Sequence, residues 1–451
     1  MSNLFAHAAS LLLGERPEQA ATDAQSGVDA GSLLRELDYA VEEGAELSAA
    51  TRHRARLLQA ASRFSRVFEL AAPAAPGLVC FGAQFEPGIA DPMHAGSPPV
   101  GVSGVGLSLQ EAFQSCIGEG LEYASQLQSA DDLLVRSASV DPAAGLGPRA
   151  RELIAAFLAY RPHPEAELAW CRTRRLNDGR EVVLPADLCL RRPPKQQQVK
   201  PPFPLSTGSA AGTSWDAAAL HGMLELIERD AASLWWRGGA RGRSIPAAHE
   251  AKITAQALLS QLRQNASARR SWLLDVTTDI GIPSVVALSC KADGFGLAFG
   301  LAARPTLIAA ARSAIREMCQ IELAYEVVEA KCRERGEAAL NERDRVHRRR
   351  AAEINADRCL LLQPVPEPAR HFAIHASAAN DVLRLIVERL EQFGIESFGL
   401  DLTRPRFAVP VARIITAGLQ LEPSEIVTPR LADMIARTGG GAAYTGGLAL
   451  A

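Results

Sequence analysis

The chain has 451 residues, 47% of them hydrophobic and 22% charged, and carries a net charge of −3. That length allows two or three domains with sizeable cores, and the composition is that of an ordinary globular protein. A charge so near neutral provides no bulk attraction to nucleic acid, and no apolar run approaches the ~18 residues a membrane span needs, so neither partner is expected.

The amino-terminal MSNLFAHAASLLLGERPEQ lacks the basic segment of a secretory signal and fits a short amphipathic surface helix. Residues 1–75 are rich in Ala, Leu and charge, with helical periodicity from Gly31 to Leu70, and are read as an N-terminal helical region suited to docking a partner. GLVCFGAQF (77–85) then predicts a short strand, followed by the Pro- and Gly-rich loop EPGIADPMHAGSPP. REVVLPADLCL (180–190) predicts another, before the proline-rich connector RRPPKQQQVKPPFP (191–204), which cannot hold a helix. Further strands are expected at 271–278, 282–290, 295–302, 396–403 and 409–416. Helical stretches alternate with them, which predicts a mixed α/β fold. KCRERGEAALNERDRVHRRR (331–350) carries charge of both signs and reads as a solvated helix extension. Residues 431–451, ending TGGGAAYTGGLALA, read as a flexible tail. The eight cysteines (Cys80, Cys116, Cys171, Cys189, Cys290, Cys319, Cys332 and Cys359) form no C-x-x-C pair and no zinc spacing. Scattered thiols of this kind are expected reduced and buried, in a cytoplasmic protein.

The informative feature is an internal repeat. GLSLQEAFQSCIGEGLE (Gly106 to Glu122), GTSWDAAALHGMLELIE (Gly212 to Glu228) and RPTLIAAARSAIREMCQ (Arg304 to Gln320) align without gaps. Their third residues, Ser108, Ser214 and Thr306, suit helix N-caps, and Ser108 with Glu111 suits a capping box. Small residues along each helix, among them Ala112, Ala218 and Ala310 at the seventh position, allow close packing. The fourteenth position holds Glu119, Glu225 and Glu317, and the seventeenth Glu122, Glu228 and Gln320. That i, i+3 spacing puts both polar side chains on one helix face.

The neighbours of the second pair, HGMLELIERDAASLWW, are largely apolar, so Glu225 and Glu228 have little polar surface between them. Unpaired buried carboxylates are costly unless protonated or bound to a hard cation. Mg²⁺ takes carboxylate oxygens and commonly shares them with phosphates, and Arg229 and Arg316, each beside an acidic position, suit phosphate oxygens. The repeat thus points to an ATP–Mg²⁺ site.

GTSWDAAALHGMLELIERDAASLWW resembles the central signature of YcaO-domain proteins, a glycine turn before a helix carrying E-x-x-E-R-D. GVGLSLQEAFQSCIGEGLEYAS, DVTTDIGIPSVVALSC, the helix around Arg316 and LDLTRPRFAVPVARIITAGL also stand in that family's order, over roughly residues 76–422. The resemblance implies a YcaO-type ATP-binding fold over 76–430 as the catalytic domain. It implies an enzyme that uses ATP to phosphorylate a backbone amide oxygen of a ribosomally made peptide, forming thiazoline or oxazoline rings from Cys, Ser or Thr. Carried over by position, Glu119, Glu122, Glu225, Glu228 and Glu317 are implied Mg²⁺ ligands. Ser103, Ser115, Arg229, Arg316 and Gln320 are implied nucleotide contacts, with STGSAAGT (206–213) closing over the nucleotide. A precursor peptide, a separate leader-peptide-binding protein, a flavin dehydrogenase and a homo-oligomer or hetero-complex are the implied partners. This chain departs from the family pattern at Val105, where lysine is usual, at Tyr123, where arginine is usual, and in its proline-free end. Thioamide or amidine formation, or a non-catalytic nucleotide-binding scaffold, are the alternatives.

Overall fold

A computed structural model describes residues 2–15, 29–41, 47–136, 141 and 144–450. Helices α1 (Ser2–Leu12), α2 (Ala30–Glu36) and α3 (Ala49–Ala61) lead into strands β1 (Arg66–Leu70) and β2 (Val79–Phe85). A single turn, α4 (Pro87–Ala90), then precedes β3 (Val100–Gly106) and helix α5 (Leu109–Gln126). Next come β4 (Leu134–Arg136), α6 (Pro148–Leu158), β5 (Ala169–Arg175), β6 (Glu181–Pro185), α7 (Ala186–Cys189), β7 (Ser209–Ala211), α8 (Trp215–Trp236) and α9 (Glu250–Arg263). Strands β8 (Arg270–Asp275), β9 (Ser284–Cys290) and β10 (Ala298–Ala303) precede the long α10 (Leu307–Arg335) and α11 (Glu342–Glu353). The chain closes with α12 (Ala379–Glu391), β11 (Glu396–Asp401), β12 (Val411–Ala417), α13 (Pro429–Thr438) and α14 (Ala442–Thr445).

The expected mixed α/β architecture is realised as antiparallel sheets of order β1-β2-β3, β10-β9-β8 and β4-β5-β11-β12-β7, with β6 paired to β5. Each of the three repeats is a strand–turn–helix unit, and each comes from a different sheet. β3 feeds α5, β7 feeds α8 and β10 feeds α10, and all three strands lie at sheet edges. The turns are set locally. Ser108, Ser214 and Thr306 are extended N-caps whose hydroxyls accept from the N–H groups of Glu111, Ala217 and Ala309. The capping box is modified: Glu111 returns its carboxylate to the Leu107 N–H, at 3.0 Å.

Glycine lets the helices lie directly on their strands. A Cβ on Gly104 would stand 2.0 Å from the Cys116 nitrogen, and one on Gly300 2.1 Å from the Ala314 carbonyl. The repeat alanines Ala112, Ala218 and Ala310 are fully buried in the same contacts.

Four expectations change. Residues 1–75 are not wholly helical: β1 pairs with β2 in the register Phe68↔Gly82, while part of the periodic stretch, 42–46, lies outside the described residues. α1 and α3 pack on the first repeat helix through one cluster holding Phe5, Leu58, Phe113 and Ile117. REVVLPADLCL is strand only to Pro185; the buried Asp187 then turns the chain by accepting the N–H groups of Gln198 and Val199. The 331–350 run is broken at Gly336 (φ 77°) and restarts at α11 under an Asn341–Asp344 capping box. Its Arg350 is fully buried, bonding Tyr325 and the Leu450 carbonyl, so this is no solvated extension. Finally, the expected flexible tail is folded: Leu450 is buried, and Trp236 Nε1 donates to the Leu448 carbonyl at 2.7 Å. All eight cysteines are free, and seven are buried, with Cys332 partly exposed.

Gly300→Ala should lower folding stability by about 1–3 kcal/mol through strand–helix overpacking, read as a reduced urea midpoint at unchanged m-value.

Candidate active site

The three repeat helices meet around a cavity of about 1080 Å³. Glu119, Glu122, Ser115, Glu225, Glu228, Arg229, Arg316, Glu317 and Gln320 all line it. Ser103 does not line it but bonds a residue that does: its hydroxyl accepts from Gln320 Nε2 at 3.0 Å. Nine of the ten residues singled out in the sequence therefore line one cavity, and the tenth, Ser103, is hydrogen-bonded to one of them.

The repeat also has a shared internal bond. The fourteenth-position carboxylate of each helix accepts a backbone N–H from the strand side of its own unit: Ser103 to Glu119 (3.1 Å), Gly208 to Glu225 (3.0 Å) and Leu301 to Glu317 (2.9 Å). A fourth such bond crosses units, from Ala211 to Glu122 at 2.9 Å. Edge strands have N–H groups left over from sheet pairing. Here three such groups, with the Gly208 N–H from the turn before β7, fix the carboxylates.

The electrostatics are severe. Burial pushes Glu122 and Glu228 up to about 8, and neighbouring carboxylates add to it; for Glu228, Arg229 opposes the rise. Burial also raises Glu119 and Glu317. Glu119 is nevertheless the most exposed of the five carboxylates. Arg229 lies 3.7 Å from Glu225 and 3.5 Å from Glu228. Burial disfavours its charge, yet Glu228, Glu225 and Glu317 together hold its pKa above the ordinary value.

Sequence reading missed several cavity residues. Arg304 and Arg343 line it from the start of the third repeat and from α11, and Arg343 acts on Glu119. Arg191 holds its guanidinium 4.8 Å over the Tyr123 ring. A cation from the proline-rich connector thus stands beside the position where the repeat has Tyr instead of Arg. His221 sits one and two turns before Glu225 and Glu228 on the same helix face, and burial followed by Arg304 lowers its pKa. Position ten of the repeat, shared with Ser115 and Ser313, was the available signal.

The STGSAAGT segment is a wall rather than a closing loop. Its Ser209–Ala211 form β7, paired to β12, and Arg413 binds the carbonyls of Leu205 and Thr207 from beneath. Its glycines serve packing: Cβ atoms on Gly208 and Gly212 would stand 2.4 Å from the Ile414 carbonyl and 2.6 Å from the Ala218 nitrogen.

Residues 103–420 match the family model described as YcaO cyclodehydratase, ATP- and Mg²⁺-binding. The chain belongs to the YcaO family, and ATP and Mg²⁺ are its cofactors. It is 27% identical over 280 residues to a protein encoded in the tfuA 3′ region of Rhizobium leguminosarum bv. trifolii, a match covering 57% of this chain and 62% of that one. A solved heterocyclase in complex with substrate and cofactor is similar in fold (TM-score 0.65, 20% identity), over 88% of this chain and 57% of that one. The YcaO protein of Methanopyrus kandleri bound with AMPPCP and Mg²⁺ is similar with TM-score 0.54 and 17% identity, over 79% of this chain and 86% of that one. This chain therefore spans less than two thirds of both the Rhizobium protein and the heterocyclase chain. Among the described residues, no helix is long and apolar enough to cross a membrane.

The donor set fits Mg²⁺ held jointly with phosphates. Among the described residues no three His, Cys, Asp or Glu side chains form a group that could hold an ion by themselves. Mg²⁺ is usually bound through one or two carboxylates, with waters and phosphates completing its shell. Carboxylates spread around a cavity wall match that mode better than an all-protein cage.

A pH dependence follows. Glu122 and Glu228 are raised from 4.5 to about 8, so their protonated forms favour the fold at low pH, and that contribution is lost as pH rises to about 8. In chelator-treated protein the melting temperature should fall between pH 6 and pH 9 (roughly, from those values). Glu122→Gln should flatten the fall, and a melting curve insensitive to both changes would contradict the assignment.

Proposed function

We propose that this chain is an ATP-dependent peptide cyclodehydratase that activates a backbone amide oxygen of a ribosomally made precursor and forms thiazoline or oxazoline rings from Cys, Ser or Thr. One observation carries the reading. The five carboxylates and one amide at the repeat's fourteenth and seventeenth positions, with Glu111 beside them, line a single cavity that five arginines also line. That combination suits a polyphosphate with its cations and suits few other ligands.

Bound ATP would supply the phosphoryl group that turns a poor leaving oxygen into a good one, leaving as ADP, and Mg²⁺ would offset the charge on the phosphates. The protein's task is then placement and charge. Glu119, Glu122, Glu225, Glu228 and Glu317 would hold Mg²⁺, and backbone N–H groups, three from strands and one from the turn before β7, fix one oxygen of four of them before any ligand arrives. Such preorganisation avoids rearrangement at the moment of reaction. Arg229, Arg316 and Gln320 take phosphate oxygens, and Gln320 in turn is oriented by Ser103. Ser115 faces the same space, and the small Gly118, with nothing near its Cα direction, leaves room beside it. Arg191, Arg304 and Arg343 extend the positive wall and offset charge developing on the transferred group.

A hetero-complex suits this chemistry, with a leader-peptide-binding protein presenting the precursor and a flavin dehydrogenase acting on the rings. The face formed by α1–α3 is the natural docking surface, because it packs directly on the first repeat helix.

Glu225→Gln separates metal binding from folding. The amide oxygen still accepts the Gly208 N–H, so the melting temperature should hold, while Mg²⁺-dependent ATP hydrolysis should fall by about 100-fold or more, the scale of losing a preorganised charge. Unchanged turnover would remove Glu225 from the metal site. With precursor peptide, mass spectrometry should show loss of one water per modified residue. A product made heavier by exchange of oxygen for sulfur would replace ring formation with thioamidation.

A further inference from the structure

The three repeat strands differ in how far their free edges are used. On β7 the outward N–H groups of Ser209 and Ala211 are both taken, by the Ser206 carbonyl and by Glu122, each at 2.9 Å. On β10, Leu301 donates to Glu317, and the residue two positions earlier, Phe299, is buried with the Arg350 guanidinium 4.6 Å over its ring. On β3, Ser103 donates to Glu119, but the residue two positions earlier is Gly101. That residue is exposed and lines the catalytic cavity.

Two observations fix where the Gly101 backbone points. Residues two apart in a strand direct their N–H and C=O groups to the same side, so Gly101 shares the outward side of Ser103. Its partner in β2 agrees. Gln84, opposite Gly101 in the register, turns its carbonyl the other way to accept from the Ser65 N–H at 3.0 Å. Gly101 and Gln84 are thus a non-hydrogen-bonded pair, and β3 lies at the sheet edge, so the Gly101 N–H and C=O are left over from sheet pairing. A Cβ on Gly101 would meet nothing within 4 Å.

The surroundings suit a peptide. Leu57, Val100, Val102, Tyr123 and Val409 pack in one apolar cluster that also borders the cavity, and Arg191 stands over the Tyr123 ring. The carboxylates lie alongside. Two residues of strand, about 7 Å, separate the Gly101 groups from the Ser103 N–H that Glu119 accepts. An extended peptide offers one donor and one acceptor per residue, the complement of what Gly101 presents.

We propose that the precursor peptide docks as an added strand on the free edge of β3: one of its residues exchanges both backbone bonds with Gly101, and the amide to be modified lies about two residues along, beside Glu119. The proposal rests on the peptide-modifying reading above and says how the substrate is held. Recognition at this point reads extended backbone rather than side-chain identity, because Gly101 brings no side chain of its own.

The test uses the full chain saturated with Mg²⁺ and a non-hydrolysable ATP analogue, and a pooled library of acetylated Cys-containing hexapeptide amides scored by affinity-selection mass spectrometry. In a retained peptide, N-methylation of one amide, about two residues from the Cys, should weaken binding about tenfold, the scale of one lost hydrogen bond. Gly101→Pro removes the outward N–H, at an edge position where proline is tolerated, and should weaken the same peptides about tenfold while nucleotide affinity stays as in the parent. Gly101→Ala keeps the N–H and should bind them as the parent does. The N-methyl scan needs no variant, so it decides alone if the proline disturbs folding. Equal peptide binding by Gly101→Pro and Gly101→Ala, or a scan with no sensitive amide, would overturn the edge site and leave the peptide-modifying reading standing. Weaker nucleotide binding by Gly101→Pro at an unchanged melting temperature would give the edge to the nucleotide and overturn the proposal. Nucleotide binding with no peptide retained by the parent would overturn both the edge site and the reading on which it rests.

Discussion

The five repeat carboxylates share one cavity, and the rest of the structure is arranged around keeping them there. Ionised acids at such distances in a low-dielectric setting repel one another and resist desolvation, which is why Glu122 and Glu228 are pushed up to about 8. Left alone they would stay protonated or pull the helices apart. Three kinds of group oppose this. Backbone N–H groups of the strands and of the turn before β7 bond four of the five, Arg229 lies between Glu225 and Glu228, and cations from other elements line the cavity. The arrangement is poised for a ligand that brings further positive charge, as a metal-bound nucleotide does.

The three-sheet architecture follows from that need. A single sheet presents two edges, and one helix presents one face. Three sheets, each ending in an edge strand followed by a capped helix, bring three edges and three faces to one point. Glycines in or beside the strands set the depth of each helix, since any side chain at Gly104 or Gly300 would lift it and move its carboxylates out of reach of the strand N–H groups. The carboxylate geometry is therefore a consequence of backbone approach rather than of side-chain choice alone.

Outer elements brace this centre through buried ions. Arg413 holds the loop before β7 by its carbonyls, and Arg430 ties α13 to the E-x-x-E-R-D aspartate, Asp230, at 2.8 Å. Asp230 also accepts the Gln420 N–H, joining α8 to the segment after β12. Truncating one member of such a pair would leave a buried charge uncompensated, a large penalty. These contacts make the C-terminal segment part of the framework.

Much of the site was legible in the sequence because the repeat is local. N-capping hydroxyls, small residues and an i, i+3 acidic pair are all set within one helix, so periodicity alone located Glu119, Glu225 and Glu317 on equivalent faces. Strands with unbroken apolar runs, such as β9, were equally plain. The missing parts depend on contacts between residues far apart in the chain. Gln320 meets Ser103 across 217 positions, and Ala211 meets Glu122 across 89. Arg191 reached Tyr123 from a connector that looked like a spacer, and Arg343 and Arg350 came inward from a run that looked solvated. Charge in a sequence carries no sign of which side of a helix will find a partner. By itself the sequence determined the three helices and the chemistry of their acidic faces; only the tertiary structure decided which cations meet them, because pairing energy depends on distance and burial, and the fold sets both.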